Sequence, residues 1–355
     1  QKNIEELSVL NLSVPDILDN SLNPIRPGYV ELINSIDDLT EEVLRDSRII
    51  NKTNEVAAKS EEYVSKYWNL LRNVTRPTDI LQLREDMLDE IKQLLSEFEF
   101  IDVYDGYQII ADIWKEALTH DIELIAASDF YTVARTRELN MVTKGTGKNK
   151  REEQDGWIGS IIPNELIAER LYTEELHEIK NKQSRVQEVD IELSELVEAA
   201  KVEDTDENNA LYEVIKKNEE DEPQDSFENK TVKSELKNAR KGTTEYDLLK
   251  KVDELMAEKS MLGKAIKAEE KTLKEMVYDR IMSLTNEEID GLVHEKWFGN
   301  VVADLVNLVT IPLKAELRTL DMLNKRYANT LSELDTEIRT LEEAFETLMS
   351  EMVVE

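Results

Sequence analysis

Two stretches near the C-terminal end of the printed sequence constrain the fold more than any other feature. In residues 248–276, apolar residues recur in alternating steps of four and three, interrupted by Lys259 and Glu269. In residues 327–352 the same spacing runs without a break. This repeat places one apolar stripe along a helix, as in a coiled coil. The sequence therefore predicts two long helices that pack against other helices.

The simplest topology for these stretches is an antiparallel hairpin of residues 244–280 against 313–352, with an elbow within 281–312. Thr285 and Glu288 have capping-box spacing, which starts a short helix in the elbow. The apolar stripe of the last helix, called the terminal seam, is the predicted partner-binding surface. The pattern leaves open whether this stripe packs against another helix of the same chain, against a second copy of the chain or against another protein. Its apolar residues are Leu317, Leu320, Tyr327, Leu331, Leu334, Ile338, Leu341, Phe345 and Leu348.

Composition favours the same helical class. Charged residues make up 34% of the 355 residues, whereas Gly and Pro number only 10 and 7. Such a chain favours long solvated helices over a turn-rich sheet protein. We therefore expect a mainly α fold, in which a helical domain with a small β-hairpin precedes the long hairpin. The expected strands lie around 122–162, where β-branched and aromatic residues flank a polar turn.

Shifts in composition predict four regions along the chain. Residues 1–35 contain Pro15, Pro24 and Pro27, so this part is expected to be irregular with short elements. Residues 36–200 form the expected helical domain. Residues 201–242 are predicted to be a mobile segment or an exposed insertion, because 203–229 is acidic and too polar to bury a core. Residues 243–355 form the helical hairpin.

The formal net charge of −33 restricts the possible partners. DNA phosphates repel such a field, so the chain alone is not expected to bind DNA. The best local candidate for a phosphate contact is the one compact basic cluster, although a solvated hairpin tip is the simpler interpretation. It consists of Lys144, Lys148, Lys150 and Arg151.

Other global features concern the cellular setting. The sequence has no cysteine and no apolar run approaching a membrane span. A reducing, cytoplasmic location without membrane contact is the resulting expectation. The chain begins with Gln rather than Met, which suggests that residue 1 lies inside a longer natural polypeptide.

Motifs for catalysis are sparse. An enzyme that methylates the amino group of adenine or cytosine needs a glycine-rich turn that binds the cofactor. It also needs an Asn/Asp-Pro-Pro-aromatic loop that holds the amino group of the flipped base. Gly145-Thr-Gly147 lacks a preceding buried strand, and Asn23-Pro24 is followed by Ile. The three histidines are far apart and lack metal-ligand spacing. No catalytic, cofactor-binding or metal-binding residue is therefore assigned.

The remaining distinctive side chains have structural explanations. Trp114, Trp157 and Trp297 fall within patterned segments and are expected to be core anchors. His120-Asp121 lies near a predicted helix end, where a capping or dipole interaction is expected.

Several segments together resemble one family, the methylation subunit of type I restriction-modification enzymes, in the part after its catalytic domain. None is a catalytic motif, so their order and spacing carry the resemblance. This sequence departs from the pattern at Gly106, where an apolar residue is usual, and in the acidic insertion 203–229. The segments are RPGYVEL (26–32), IDVYDGYQIIADIWKEALTHDIELI (101–125), WIGSIIPNELIAERLY (157–172), LTNEEIDGLVHEKWF (284–298), RYANTL (326–331) and LEEAFETLMSEM (341–352).

The resemblance implies a parent chain that transfers a methyl group from S-adenosylmethionine to N6 of adenine in DNA. The catalytic part then lies upstream, with residues 1–35 as its tail, and the present residues serve assembly without binding cofactor. The implied partners are a specificity subunit and, through it, a second methylation subunit and a restriction subunit. The resemblance implies that the chain contacts DNA only within that complex.

Two other interpretations compete with this one. A stand-alone coiled-coil scaffold or adaptor, unrelated to DNA modification, fits the helices after residue 242, although the mixed segment 122–163 argues against a pure rod. An independent enzyme with an acidic metal site is the third, and no residue spacing supports it.

Overall fold

The computed structural model describes residues 8–26, 29–98, 101–144, 150–202, 206–219, 222–326 and 331–352. Helices dominate these residues, and their strands form three separate two-stranded antiparallel sheets. The predicted mainly α fold with small β-hairpin elements is confirmed. Internal packing divides the chain into two compact units, one of Gln1–Phe130 with His294–Glu355 and one of Tyr131–Val293. This division differs from the one expected at residues 200 and 243.

The helices and strands are numbered in chain order. The first are α1 (Ser8–Ser13), α2 (Pro15–Asn20), β1 (Leu22–Arg26), β2 (Tyr29–Leu32), α3 (Ile36–Arg45), α4 (Ser47–Leu71), α5 (Ile80–Leu95) and α6 (Val103–Ile113). A π-helical turn (Trp114–Leu118) leads into α7 (Thr119–Ala127), α8 (Phe130–Ala134), β3 (Arg137–Lys144), β4 (Arg151–Gly159), α9 (Asn164–Leu171) and α10 (Thr173–Val202). The rest are α11 (Asp206–Glu213), β5 (Ile215–Lys217), β6 (Pro223–Phe227), α12 (Asn229–Asn238), α13 (Thr244–Ile281), α14 (Asn286–Phe298), α15 (Val301–Arg326) and α16 (Leu331–Met352).

Helix α15 organises the first unit, because it packs along α4 and also contacts α1, α3 and α6. It begins at Val301, so the predicted helix start at 313 is wrong. Pro312 lies inside α15 and removes one backbone hydrogen bond. Buried leucines on both sides of it, Leu305 and Leu313, hold the helix together through tertiary packing.

The N-terminal elements are fastened to α15. Glu316 of α15 accepts hydrogen bonds from the backbone N–H groups of Val9 (3.0 Å) and Leu10 (2.8 Å). These are first-turn donors of α1 that no residue within the helix can satisfy, and a carboxylate there also favours the helix dipole. Short elements were predicted for residues 1–35, and those described are α1, α2 and the β1–β2 hairpin.

A close approach of α5 and α6 explains the glycine at position 106. A Cβ built on Gly106 would lie 2.0 Å from Cδ1 of the buried Leu95 and 3.5 Å from Cδ2 of Leu305. Any larger side chain would have to displace packed core atoms. The glycine at position 106 therefore permits the tight packing of α5 against α6.

In the second unit, the long helix α13 packs along α10. Lys182 Nζ lies 2.7 Å from Glu269, and Lys259 Nζ lies 2.5 Å from Asp190, so residue numbers fall along α13 as they rise along α10. The two helices are therefore antiparallel. The predicted partner of residues 244–280 is wrong, because α10 takes the place assigned to residues 313–352. The apolar spacing specified a helical partner but not which one.

The acidic segment contains helices and strands where the structure describes it, so the expectation that it is too polar to bury a core is wrong. Residues 206–219 and 222–229 contain α11 and the β5–β6 hairpin. A few apolar side chains suffice for a core here, because α10 and α13 supply the rest of it, including Val197, Leu249 and Val252. The buried residues of this region are Leu211, Val214, Ile215, Phe227 and Val232.

Two further predictions concern local elements. The predicted β region contains β3 paired with β4, although its beginning is helical, since α7 extends to Ala127. The capping box at α14 is confirmed. The Thr285 N–H donates to the Glu288 carboxylate at 2.8 Å, and the Glu288 N–H donates to Thr285 Oγ1 at 3.3 Å.

The buried side chain of Phe227 should contribute to the stability of the acidic segment. Phe227→Ala should lower the local free energy of unfolding by about 3 kcal/mol, because it truncates a buried aromatic side chain. Amide hydrogen exchange in α11, β5 and β6 measures the effect. Phe345→Ala is the matched control, since the same truncation of an exposed side chain should change stability by less than about 0.5 kcal/mol. Equal exchange in Phe227→Ala and the unmodified chain would contradict the ordered fold.

Candidate functional site

The last helix carries a row of exposed apolar side chains. Ile338 is 52% exposed, Leu341 63%, Phe345 63% and Leu348 60%. Their steps of three, four and three place them on one face of α16. These four residues are called the α16 seam below. Tyr327 lies outside the described residues, as do the side chains of Leu331 and Leu334.

A bare seam of this kind has a physical consequence. Most helical stability in proteins comes from packing an apolar face rather than from intrinsic propensity. Contiguous exposed apolar surface also marks an interaction site more often than single exposed residues do. The exposed face of the 22-residue α16 is therefore the candidate interaction surface of the chain.

Two residues predicted to belong to this surface lie elsewhere. Leu317 and Leu320 are 2% and 4% exposed and belong to the core formed with Leu10, Val14 and Leu39. The prediction that they bind another protein is wrong, since elements of the same chain already bury them. The predicted surface is thus divided between a covered part on α15 and an exposed part on α16.

The basic cluster of the β3–β4 hairpin is partly described. Lys148 and the side chain of Lys144 lie outside the described residues. Lys150 is exposed, and the Arg151 guanidinium lies 2.6 Å from the Glu153 carboxylate. A carboxylate beside the guanidinium reduces the local positive potential that a phosphate contact would use.

The tryptophans have the predicted structural role in two of three cases. Trp114 and Trp297 are buried, as expected for core anchors. Trp114 Nε1 lies 3.2 Å from the sulfur of Met87, and the Trp297 ring packs edge-on against Trp68. Trp157 is only half-buried, with the Arg137 guanidinium 4.6 Å from its ring centroid.

A buried carboxylate lies beside Trp297. Asp121 is 1% exposed and accepts hydrogen bonds from Trp297 Nε1 at 2.8 Å and from Lys296 Nζ at 2.6 Å. Burial raises the pKa of Asp121, and the Lys296 ammonium and the Trp297 N–H partly oppose this rise. The expected capping interaction is therefore wrong for Asp121, which joins α7 to the end of α14. His120 beside it is exposed.

The second unit contains an open groove that sequence reasoning missed. It has a volume of about 580 Å³ and lies where α10, α13 and β6 meet. Its carboxylates are paired, Asp190 with Lys259 and Asp225 with Lys201. The small residues Ser194, Ser260 and Gly263 are part of its lining.

Cation ligation and membrane contact give two further findings. No group of three His, Asp or Glu side chains suited to a metal ion occurs within the part of the chain that the structure describes. One helical stretch there, Asn286–Arg326, is long and apolar enough to cross a membrane by length and composition. About a third of its most apolar window is buried, including Leu305, Val309 and Leu313.

Comparisons of the chain with protein-family models, with curated proteins and with solved structures each give no match. The role of the α16 seam is therefore inferred from its own geometry and from the sequence resemblance.

The buried ion pair of Asp121 and Lys296 should contribute to stability in a pH-dependent way. Lys296→Met should lower the free energy of unfolding by about 3 kcal/mol at pH 7, because it leaves the Asp121 charge buried without a cation. The loss should shrink as the pH falls. Without Lys296 the pKa of Asp121 rises further, and a protonated carboxyl needs no cation.

Urea unfolding at about pH 7 and about pH 5.5 measures this difference. Lys115→Met, at an exposed position, is the matched control and should change stability little. A loss in Lys296→Met that stays constant across these pH values would contradict the role of Asp121.

Proposed function

We propose that this chain is a helical assembly module, and that the α16 seam docks onto a helical partner. On this proposal it is the non-catalytic C-terminal part of the methylation subunit of a type I restriction-modification enzyme. The observation that carries the docking role is the seam itself, whose four side chains are each more than half exposed. The assignment to this enzyme class is supported by the sequence resemblance.

Helix α16 contains both the exposed seam and one of the segments that resemble the family. The last resembling segment, residues 341–352, contains three of the four seam residues. In the proposed assembly, helical spacers of a specificity subunit cover the seam. A second methylation subunit and a restriction subunit join through that subunit, in the cytoplasm.

The negative net charge of the chain supports a role in assembly rather than in DNA contact. With a net charge of −33, DNA contact is left to partners and to an upstream catalytic part. That part would bind S-adenosylmethionine and carry out N6-adenine methylation. The present residues would contribute the packing surface that holds the subunits together.

Charges placed on the seam test the docking role. Leu341→Glu combined with Phe345→Glu should abolish co-purification with the cognate specificity subunit, because docking would bury two unpaired carboxylates. Circular dichroism and urea unfolding of the first unit should be unchanged, since both side chains are exposed in the free chain.

Thr340→Glu combined with Thr347→Glu is the matched control. It adds the same charges to α16 on a face away from the seam, so the complex should persist. Loss of binding in both double variants, or in neither, would count against docking through the seam.

Titration calorimetry with S-adenosylmethionine tests the non-catalytic assignment. The chain should release no binding heat, while the complex with the specificity subunit forms. Micromolar cofactor binding would place a methyl-transfer site in these residues and overturn the assignment. Failure to bind the specificity subunit, together with self-association through α16, would favour a stand-alone scaffold.

A further inference from the structure

The edges of the α16 seam carry charges of one sign. In the heptad register set by the seam, Ile338 and Phe345 occupy a positions and Leu341 and Leu348 occupy d positions. The flanking g and e positions are then 337, 344, 342 and 349. They are Glu337, Ala344, Glu342 and Met349, and both glutamates are exposed.

The rest of the helix strengthens this asymmetry. Residues 331–352 contain seven acidic residues and one basic residue, Arg339. Arg339 follows an a position directly, so it lies away from the seam. In the sequence, the next flanking positions outward are also acidic, Asp335 and Glu351. No cation therefore stands at any edge position of the seam in residues 331–352.

A second copy of α16 is a poor occupant for this seam. In a parallel, in-register pair, each g residue faces the e residue five positions on in the other helix. Glu337 of one copy would thus face Glu342 of the other on both sides of the interface. In an antiparallel pair, e faces e and g faces g, so acid again meets acid. Like charges at these positions oppose pairing.

We infer that the partner helix of the α16 seam bears lysine or arginine along both edges of its own apolar stripe, and that the seam selects this partner over a second copy of the chain. This inference rests on the proposed docking function. Basic edge residues would pair with Glu337 and Glu342, and their long aliphatic stems would cover the rims of Leu341 and Phe345. The apolar seam supplies attraction, and the charged edges supply selectivity.

Synthetic helices test the inference on the full chain. The basic probe is a peptide of about four heptads with Ile at a, Leu at d and Lys at every e and g position. The acidic probe has Glu in place of those lysines. A third peptide has the composition of the basic probe in scrambled order, which removes the apolar stripe but keeps the charge.

Fluorescence anisotropy of the labelled probes should show the basic probe binding at least about tenfold more tightly than the acidic and scrambled probes. This preference should weaken between about 50 mM and about 500 mM salt, because the Debye length falls from roughly 14 Å to roughly 4 Å. Sedimentation of the chain alone should show no dimer formed through α16.

A pair of charge-reversal variants separates edge selectivity from net charge. Glu337→Lys with Glu342→Lys should shift the preference to the acidic probe by about tenfold. Glu343→Lys with Glu346→Lys changes the net charge equally but lies off the seam, so it should keep the preference for the basic probe. A reversal in both variants would show that bulk charge governs binding and would overturn the inference.

The remaining outcomes distinguish the inference from the function on which it rests. Equal binding of the acidic and basic probes, lost in Leu341→Glu with Phe345→Glu, would overturn the charge rule and leave the docking function standing. Binding that survives those two substitutions would overturn both, because the seam would then be unused. A stable dimer through α16 would overturn the selection against a second copy.

Discussion

Burial of the apolar face of α15 is the interaction on which the first unit depends. The helix contacts elements from both ends of residues 8–113, so one continuous stripe closes a unit whose parts are far apart in sequence. Leu313 and Leu317 are covered by the N-terminal elements, and Glu316 between them satisfies the first turn of α1. Such long-range packing explains why Pro312 is tolerated in mid-helix, since the cost of one lost hydrogen bond is small beside a buried stripe.

Helix α16 is the contrast to α15. Both carry apolar residues at helical spacing, yet Leu317 of α15 is 2% exposed and Leu341 of α16 is 63% exposed. The difference lies in what surrounds each helix. The described part of the chain therefore combines a packed core with an exposed apolar surface of the kind that marks interaction sites. The proposed assembly role follows from this contrast, and the acidic edges of α16 narrow the kind of helix that fits it.

Charge serves a different purpose in the second unit. The pairs Lys182–Glu269 and Lys259–Asp190 connect α10 to α13 along their length. Exposed ion pairs of this kind contribute little to stability, typically about 0 to 1 kcal/mol each. They do disfavour a shifted alignment of α10 against α13, because sliding one helix along the other would bring carboxylates together on a strongly acidic chain. The core around Val197 and Val252 provides the cohesion, and the ion pairs help to define the register.

The amino-acid sequence by itself determined the helical class, the presence of a β-hairpin within residues 122–162 and the capping box at Thr285, because each depends on contacts between near neighbours. It also determined that residues 338–348 form an apolar stripe with acidic edges. Only the tertiary structure decided which helix covers which stripe. Apolar spacing is the same for a core helix and for a docking helix, so α13 was assigned the wrong partner and Leu317 the wrong role. The acidic segment was misjudged for a related reason: its average polarity hid a few apolar side chains, among them Phe227, whose burial depends on a surface supplied by α10 and α13.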